Sequence, residues 1–280
     1  MASDDLTQTQ GFVAADAKFR ALVEVERFTA ITVRPIVAQA ALNGGELERT
    51  YFGYLLRALA WLRSLNKLNH PGDFQAVAAG ARSLFEITID LTLLLHDPDC
   101  PIAKLLAWEL STRHKHAEER LKIMSDWTDA ERHESLVSGY ERFVTEHTQG
   151  VAEARSTWWP KHRGKHPSRW TGQTLREDAK RCDVLTGAVS AGDFYRLRFA
   201  KLCWSTHGSG FVDTRFLSGE HFPALIAESL NDAVALALAI NEIVLRALNR
   251  YDAAAADSFK VLETRIQRAY ALALLHRPST

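Results

Sequence analysis

Phe74-Gln-Ala-Val-Ala-Ala-Gly-Ala-Arg82-Ser-Leu-Phe-Glu86-Ile-Thr-Ile-Asp90-Leu-Thr-Leu-Leu-Leu-His96 is the stretch on which the fold turns. Val77, Ala78, Ala81, Leu84, Phe85, Ile87, Ile89, Leu91, Leu93 and Leu94 make it apolar on nearly every face. A helix apolar all round is normally buried. Residues 87–93 also alternate with period two, which suits a strand. The Ala-rich start runs into them without a turn signal, so helix is the stronger reading. We therefore expect a central helix over 74–96, with the rest of the chain wrapped around it.

Working outward, breaks fall at Asn43-Gly44-Gly45, at His70-Pro71-Gly72 and at the Pro-punctuated residues 96–101. Between and beyond them, helical spacing predicts helices over about 12–28, 35–43, 46–68, 102–127, 129–154, 174–186, 193–205, 223–251 and 253–276. Ala and Leu total 74 residues, against 15 Gly and 8 Pro, which fits an all-α chain. The expected architecture is one domain over 1–280, a multi-helix bundle. A projecting charged helical hairpin occupies about 102–154 and a basic aromatic loop about 155–172.

Lys+Arg and Asp+Glu are 34 each, so no global field draws in nucleic acid or an anionic membrane. Three scattered cysteines do not make a disulfide framework. No apolar run approaches the roughly 20 residues of a spanning helix, and the start is acidic rather than leader-like. These features predict a cytoplasmic protein without membrane association. The apolar C-terminal helices offer a homodimer face as readily as a core.

Three places carry candidate chemistry. Arg82, Glu86 and Asp90 stand at i, i+4, i+8, one ionisable stripe on an apolar helix. Arg82 can pair with Glu86, but Asp90 then needs a donor from elsewhere in the fold. Such a stripe is either a structural network or a polar pocket. The second place is Tyr195 to Gly210, where a helix delivers Ser205-Thr206-His207 to a Gly-Ser-Gly turn. A histidine there can shuttle protons near neutral pH, or simply cap the helix. The third is the loop of Trp158, Trp159, Lys161, Arg163, Lys165, Arg169 and Trp170. From Arg155 to Arg169 it has five basic residues and no acid. Basic groups neutralise phosphate and indoles stack on unpaired bases; the alternative is a surface loop pinned by its tryptophans. No Glu-x-x-His pair, Cys-x-x-Cys or phosphate loop is present, so neither a metal nor a cofactor is expected.

Two of these segments together resemble an uncharacterised bacterial all-helical domain family. Ala81-Arg82-Ser-Leu-Phe-Glu86 is similar to its Arg-x-x-x-Glu helix. Trp170-Thr-Gly, Tyr195 and Cys203-Trp-Ser205-Thr-His207-Gly-Ser209 are similar to its Tyr…Ser-x-x-His-x-Ser element, and the likeness spans roughly 55–217. The resemblance singles out Arg82, Glu86, Ser205 and His207 as a shared pocket. More loosely, the chain resembles helical ribonuclease-like proteins of toxin and phage-defence systems. That likeness implies metal-independent RNA cleavage, with Arg82 stabilising phosphate charge and His207 transferring protons. Glu86 and Asp90 would orient them, and the basic loop would hold RNA. The competing expectation is a non-catalytic helical interaction module whose Arg/Glu/His cluster is structural. A third is a small-molecule pocket in which an anionic ligand pairs with Arg82.

Overall fold

The computed structural model describes residues 10–68, 73–125, 134–162, 165–187, 190–206 and 221–275. Among these there is no strand: the chain is all-helical, as its composition requires. No described helix is long and apolar enough to cross a membrane. The fold divides into two compact units, one of residues 1–95 with 182–280 and one of 96–181.

In the first unit α1 (Gln10–Phe28) leads through a π-helical turn, Thr29–Val33, into α2 (Arg34–Asn43) and α3 (Glu46–Leu65). The α2–α3 break falls at the Gly-Gly pair, where the Glu48 carboxylate accepts the Gly45 N–H at 2.7 Å. α4 (Phe74–His96) is a continuous helix through 87–93, so the alternating pattern there makes no strand. Leu84, Leu91 and Leu93 on it are wholly buried, and each such side chain contributes about 1.5–3 kcal/mol. The last two helices of this unit are His221–Ala247 and Ala253–Leu275, and both pack on α1. Asn241 on the former donates its amide N–H to buried Thr29 Oγ1 at 2.8 Å. Thr29 in turn donates to the Val25 carbonyl, so its hydroxyl is satisfied inside the π turn, while the Asn241 amide oxygen has no partner among the described residues. The penultimate helix ends earlier than its periodicity predicts. Asn249 adopts a left-handed φ of 53° and the Arg250 N–H returns to the Leu245 carbonyl, closing the helix end.

The second unit is built on α5 (Ile102–Met124) and α6 (Glu134–Trp158). Ser111 accepts a hydrogen bond from Arg155 at 2.9 Å, and His114 meets Thr148 at 3.1 Å. Early α5 therefore faces late α6, the antiparallel hairpin expected over about 102–154. The expected loop start at 155 is corrected: α6 continues to Trp158, and Pro160–His162 form a 3₁₀ turn. The Arg155–Ser111 bond holds that last turn onto α5. Beyond it, Trp159 donates its indole N–H to the Trp170 carbonyl at 2.9 Å, and Trp108 donates to the Pro167 carbonyl at 3.0 Å. Gly172 has φ 78°, and a Cβ there would lie 2.7 Å from the Trp159 ring. Only glycine satisfies both conditions. α7 (Leu175–Thr186) then begins with a reciprocal cap, in which Thr174 N–H donates to Glu177 and Glu177 N–H donates to Thr174 Oγ1.

His166 sits against this hairpin, with Nε2 2.9 Å from Thr112 Oγ1. Burial, then the nearby Arg155 and Lys115 charges, hold its pKa below the ordinary 6.5. The unfolded chain therefore binds a proton at His166 at a higher pH than the folded chain does. Stability contributed by neutral His166 is present above about 6.5 and falls as pH is lowered toward the depressed folded value. The urea midpoint is expected to drop from pH 7 to pH 5.5, with a shallower drop in His166→Gln. Equal pH slopes for the two proteins would remove His166 as the cause.

Candidate functional site

The ionisable stripe is assembled within the first unit. Arg82 Nε donates to Glu86 Oε1 at 3.1 Å along α4, with both side chains about one-third exposed (32% and 37%). The donor that Asp90 needs comes from α3: Tyr54 donates its hydroxyl to Asp90 Oδ2 at 3.2 Å. Tyr54 lies among the buried residues of α3, and its hydroxyl was the signal that could have matched it to Asp90.

Facing the stripe is the segment read as one helix over 193–205. It is instead α8 (Ala191–Phe194), a π-helical turn over Tyr195–Phe199, and α9 (Ala200–Thr206). Its start is held by Asp183, whose carboxylate accepts the N–H groups of Ser190, Ala191 and Gly192 at 2.8–3.1 Å. A carboxylate is favoured at a helix start, where N–H groups lack intrahelical partners. The π turn stacks Tyr195 on Phe199 at 5.2 Å between centroids. Phe85 of α4 stacks on Phe194 at 4.6 Å and meets Phe199 at 5.5 Å. The Arg82 guanidinium lies 5.4 Å over the Phe199 ring. Burial pushes the Cys203 thiol pKa up, and the thiol feels the stripe's charges, Arg82 opposing and Glu86 reinforcing the rise. Phe199 and Cys203 thus belong to this site, although the sequence pointed past them to Ser205 and His207.

Ser205 is buried and gives its hydroxyl to the Lys201 carbonyl at 3.0 Å, one helical turn back. Such back-bonding is the ordinary fate of a helical serine. His207 lies outside the described residues. The π turn and α9 are tied to the penultimate helix by Arg198, which donates to Asp232 at 2.7 Å and Glu228 at 2.7 Å, and by Lys201, which donates to Glu228 at 2.6 Å. Burial raises the Asp232 pKa even beside Arg198, while the two cations hold Glu228 below the usual carboxylate range against its own partial burial.

The basic aromatic segment belongs to the second unit. Trp159 and Trp170 are only 3% and 2% exposed, so neither presents a face on which a base could stack. Arg169 donates to Asp178 Oδ2 at 2.6 Å, and Thr171 donates to the same oxygen at 2.9 Å. Trp158 is half-buried at the end of α6, Lys161 and Lys165 are exposed, and Arg163 lies outside the described residues. The tryptophans pin this segment to its own unit, and its Arg169 cation is engaged inside it. No group of three or more His, Cys, Asp or Glu that could hold a metal ion occurs among the described residues.

A different feature of the second unit was missed in sequence. Between α5 and α6 runs an open trough of about 820 Å³. Arg113, His116 and Arg120 stand on its α5 side, and Leu136, Tyr140 and Phe143 on its α6 side. Ile123 and Leu136, at 57% and 54% exposed, leave apolar surface open at one end. Their i, i+3, i+4, i+7 spacings were readable, but read singly each helix was merely charged and half solvated.

These observations define a two-unit, all-helical protein in which Arg82 and Glu86 of α4 pair with each other and Asp90 accepts from Tyr54 of α3. The chain belongs to DUF5677, a family of unknown function, whose model matches residues 50–221, more than half of its length. No curated protein and no solved structure matches it.

Proposed function

We propose that this chain is a helical protein-interaction module and not a metal-independent ribonuclease. The trough on the α5–α6 hairpin carries the reading. Apolar side chains at Ile123, Leu136, Tyr140 and Phe143 line an open surface on two adjoining helices, a small apolar strip beside the Arg113, His116 and Arg120 face that suits a compact contact with a partner. The stripe supports the same conclusion. Arg82 is bound to Glu86 and Phe199, and Asp90 to Tyr54, as in a network that fastens α3 and the π turn to α4. The burial of Trp159 and Trp170 removes two of the three indoles of the basic segment as stacking faces, leaving only half-buried Trp158.

The test has two arms. Arg82→Ala is expected to fold and to lose about 1–2 kcal/mol, because it removes a half-buried i,i+4 pair and the contact over the Phe199 ring. Leu136→Lys is expected to change stability by no more than about 0.5 kcal/mol, because its side chain stabilises no core. Purified protein in EDTA is expected to leave structured and unstructured RNAs intact. EDTA-resistant cleavage that disappears in both Arg82→Ala and His207→Ala would overturn the reading in favour of RNA processing. A loss of several kcal/mol in Leu136→Lys would overturn it in favour of a purely structural hairpin.

A further inference from the structure

We infer that the α5–α6 trough receives one acidic amphipathic α-helix from a partner protein. This rests on the interaction-module reading and names the partner's chemistry. Three observations lead to it.

The first is shape. The trough's lining runs from Arg113 to Ile123 on α5 and from Ser135 to Phe143 on α6. At 1.5 Å per residue these walls are about 15 and 12 Å long, with the two helix axes as their sides. A channel of between two and three turns along a helix pair suits a third helix, bound through apolar anchors at i, i+4 and i+7.

The second is the separation of charge from apolar surface. On α5, Arg113, His116 and Arg120 recur at i, i+3, i+7 and share one face. On α6, Leu136, Gly139, Tyr140 and Phe143 recur at i, i+3, i+4, i+7 and carry no charge. One carboxylate, Glu119, also lines the basic side, 3.7 Å from Lys115, so the three cations there outnumber it when His116 is protonated and the two arginines do so at any pH. Arg113 has a long 3.7 Å contact with Glu109, and Arg120 has no ion pair among the described residues. A helix docked here meets an apolar wall on one side and guanidinium groups on the other. Its complement is an apolar stripe flanked on one edge by Asp or Glu. Charge of that sign sets orientation and speeds encounter, and the apolar anchors supply affinity.

The third is Gly139. A Cβ built on it meets no atom within 4 Å, so the trough is open over this residue. The first carbon of a side chain there therefore meets no obstacle, at a residue that itself lines the channel. Leucine also favours helix over glycine.

The experiment is fluorescence anisotropy with the full chain and a fluorescein-labelled peptide of about 14 residues, roughly four helical turns. The peptide carries Leu at i, i+4, i+7 and i+11, with Glu along one flank. Saturable binding is expected, weakened at least about tenfold in Arg120→Glu and abolished in Gly139→Leu. Raising salt to about 0.5 M is expected to weaken it further. A matched peptide with Lys in place of Glu is expected not to bind. Circular dichroism of both variants establishes that they fold. The proposal is overturned by absence of saturable binding up to about 1 mM, by equal binding of the Lys peptide, or by binding that survives Gly139→Leu. Self-association of the chain that Gly139→Leu disrupts would also overturn it, placing a second copy in the trough. All of these leave the RNA-cleavage result untouched, so failure of the partner's chemistry is distinguishable from failure of the interaction-module reading.

Discussion

Asp178→Ala is expected to cost about 3–5 kcal/mol, read as a drop in the urea midpoint followed by circular dichroism. Asp178 is wholly buried in the first turns of α7, and Arg169, at 15% side-chain exposure, is directed at it. A buried pair adds little over a well-packed apolar pair, but removing one member strands the other charge away from water. Here the deletion also leaves the Thr171 hydroxyl without its acceptor. Both losses fall in the 169–172 turn, which carries the Trp170 carbonyl bound by Trp159. Glu177→Ala, one residue earlier and exposed, removes only a cap and is expected to shift the midpoint far less. A loss under about 1 kcal/mol for Asp178→Ala would show that the ion pair does not hold the segment.

Phe85→Ala is the second large effect, at about 3–5 kcal/mol for an aromatic ring removed from a core. Phe85 is 2% exposed and packed on Phe194 and Phe199. Its removal leaves a cavity under the π turn, and Phe199, the ring beneath Arg82, loses its support. The two rings therefore act together. Phe199→Ala in the Phe85→Ala background is expected to cost less than alone, with a coupling of about 0.5 kcal/mol or more. Fully additive losses would mean that the π turn is positioned by Arg198, Glu228 and Asp232 and not by the aromatic stack.

The stripe shows what was readable in the chain and what was not. Arg82 and Glu86 at i, i+4 are neighbours on any helix, so their pairing followed from spacing alone. Asp90's need for a donor was equally plain, because a carboxylate on an apolar helix is costly unless it is hydrogen-bonded. That the donor is Tyr54, 36 residues away, depends on how α3 packs on α4. Trp159 and Trp170 carried the opposite ambiguity. A tryptophan in a basic segment reads the same whether its ring lies outward for a nucleobase or inward as a pin, and burial is a property of the packed unit.

The sequence by itself determined the helical class, most of the breaks between helices and the pairing of Arg82 with Glu86. Those depend on local periodicity, on Gly and Pro, and on contacts one turn apart. Tertiary structure alone decided which stripes face each other. It turned the basic face of α5 and the apolar face of α6 into the two sides of one trough, buried Trp159 and Trp170, and set Phe199 under Arg82. The reason is physical: an amphipathic pattern says that a face must be covered or exposed, but not which face, many residues away in sequence, will meet it.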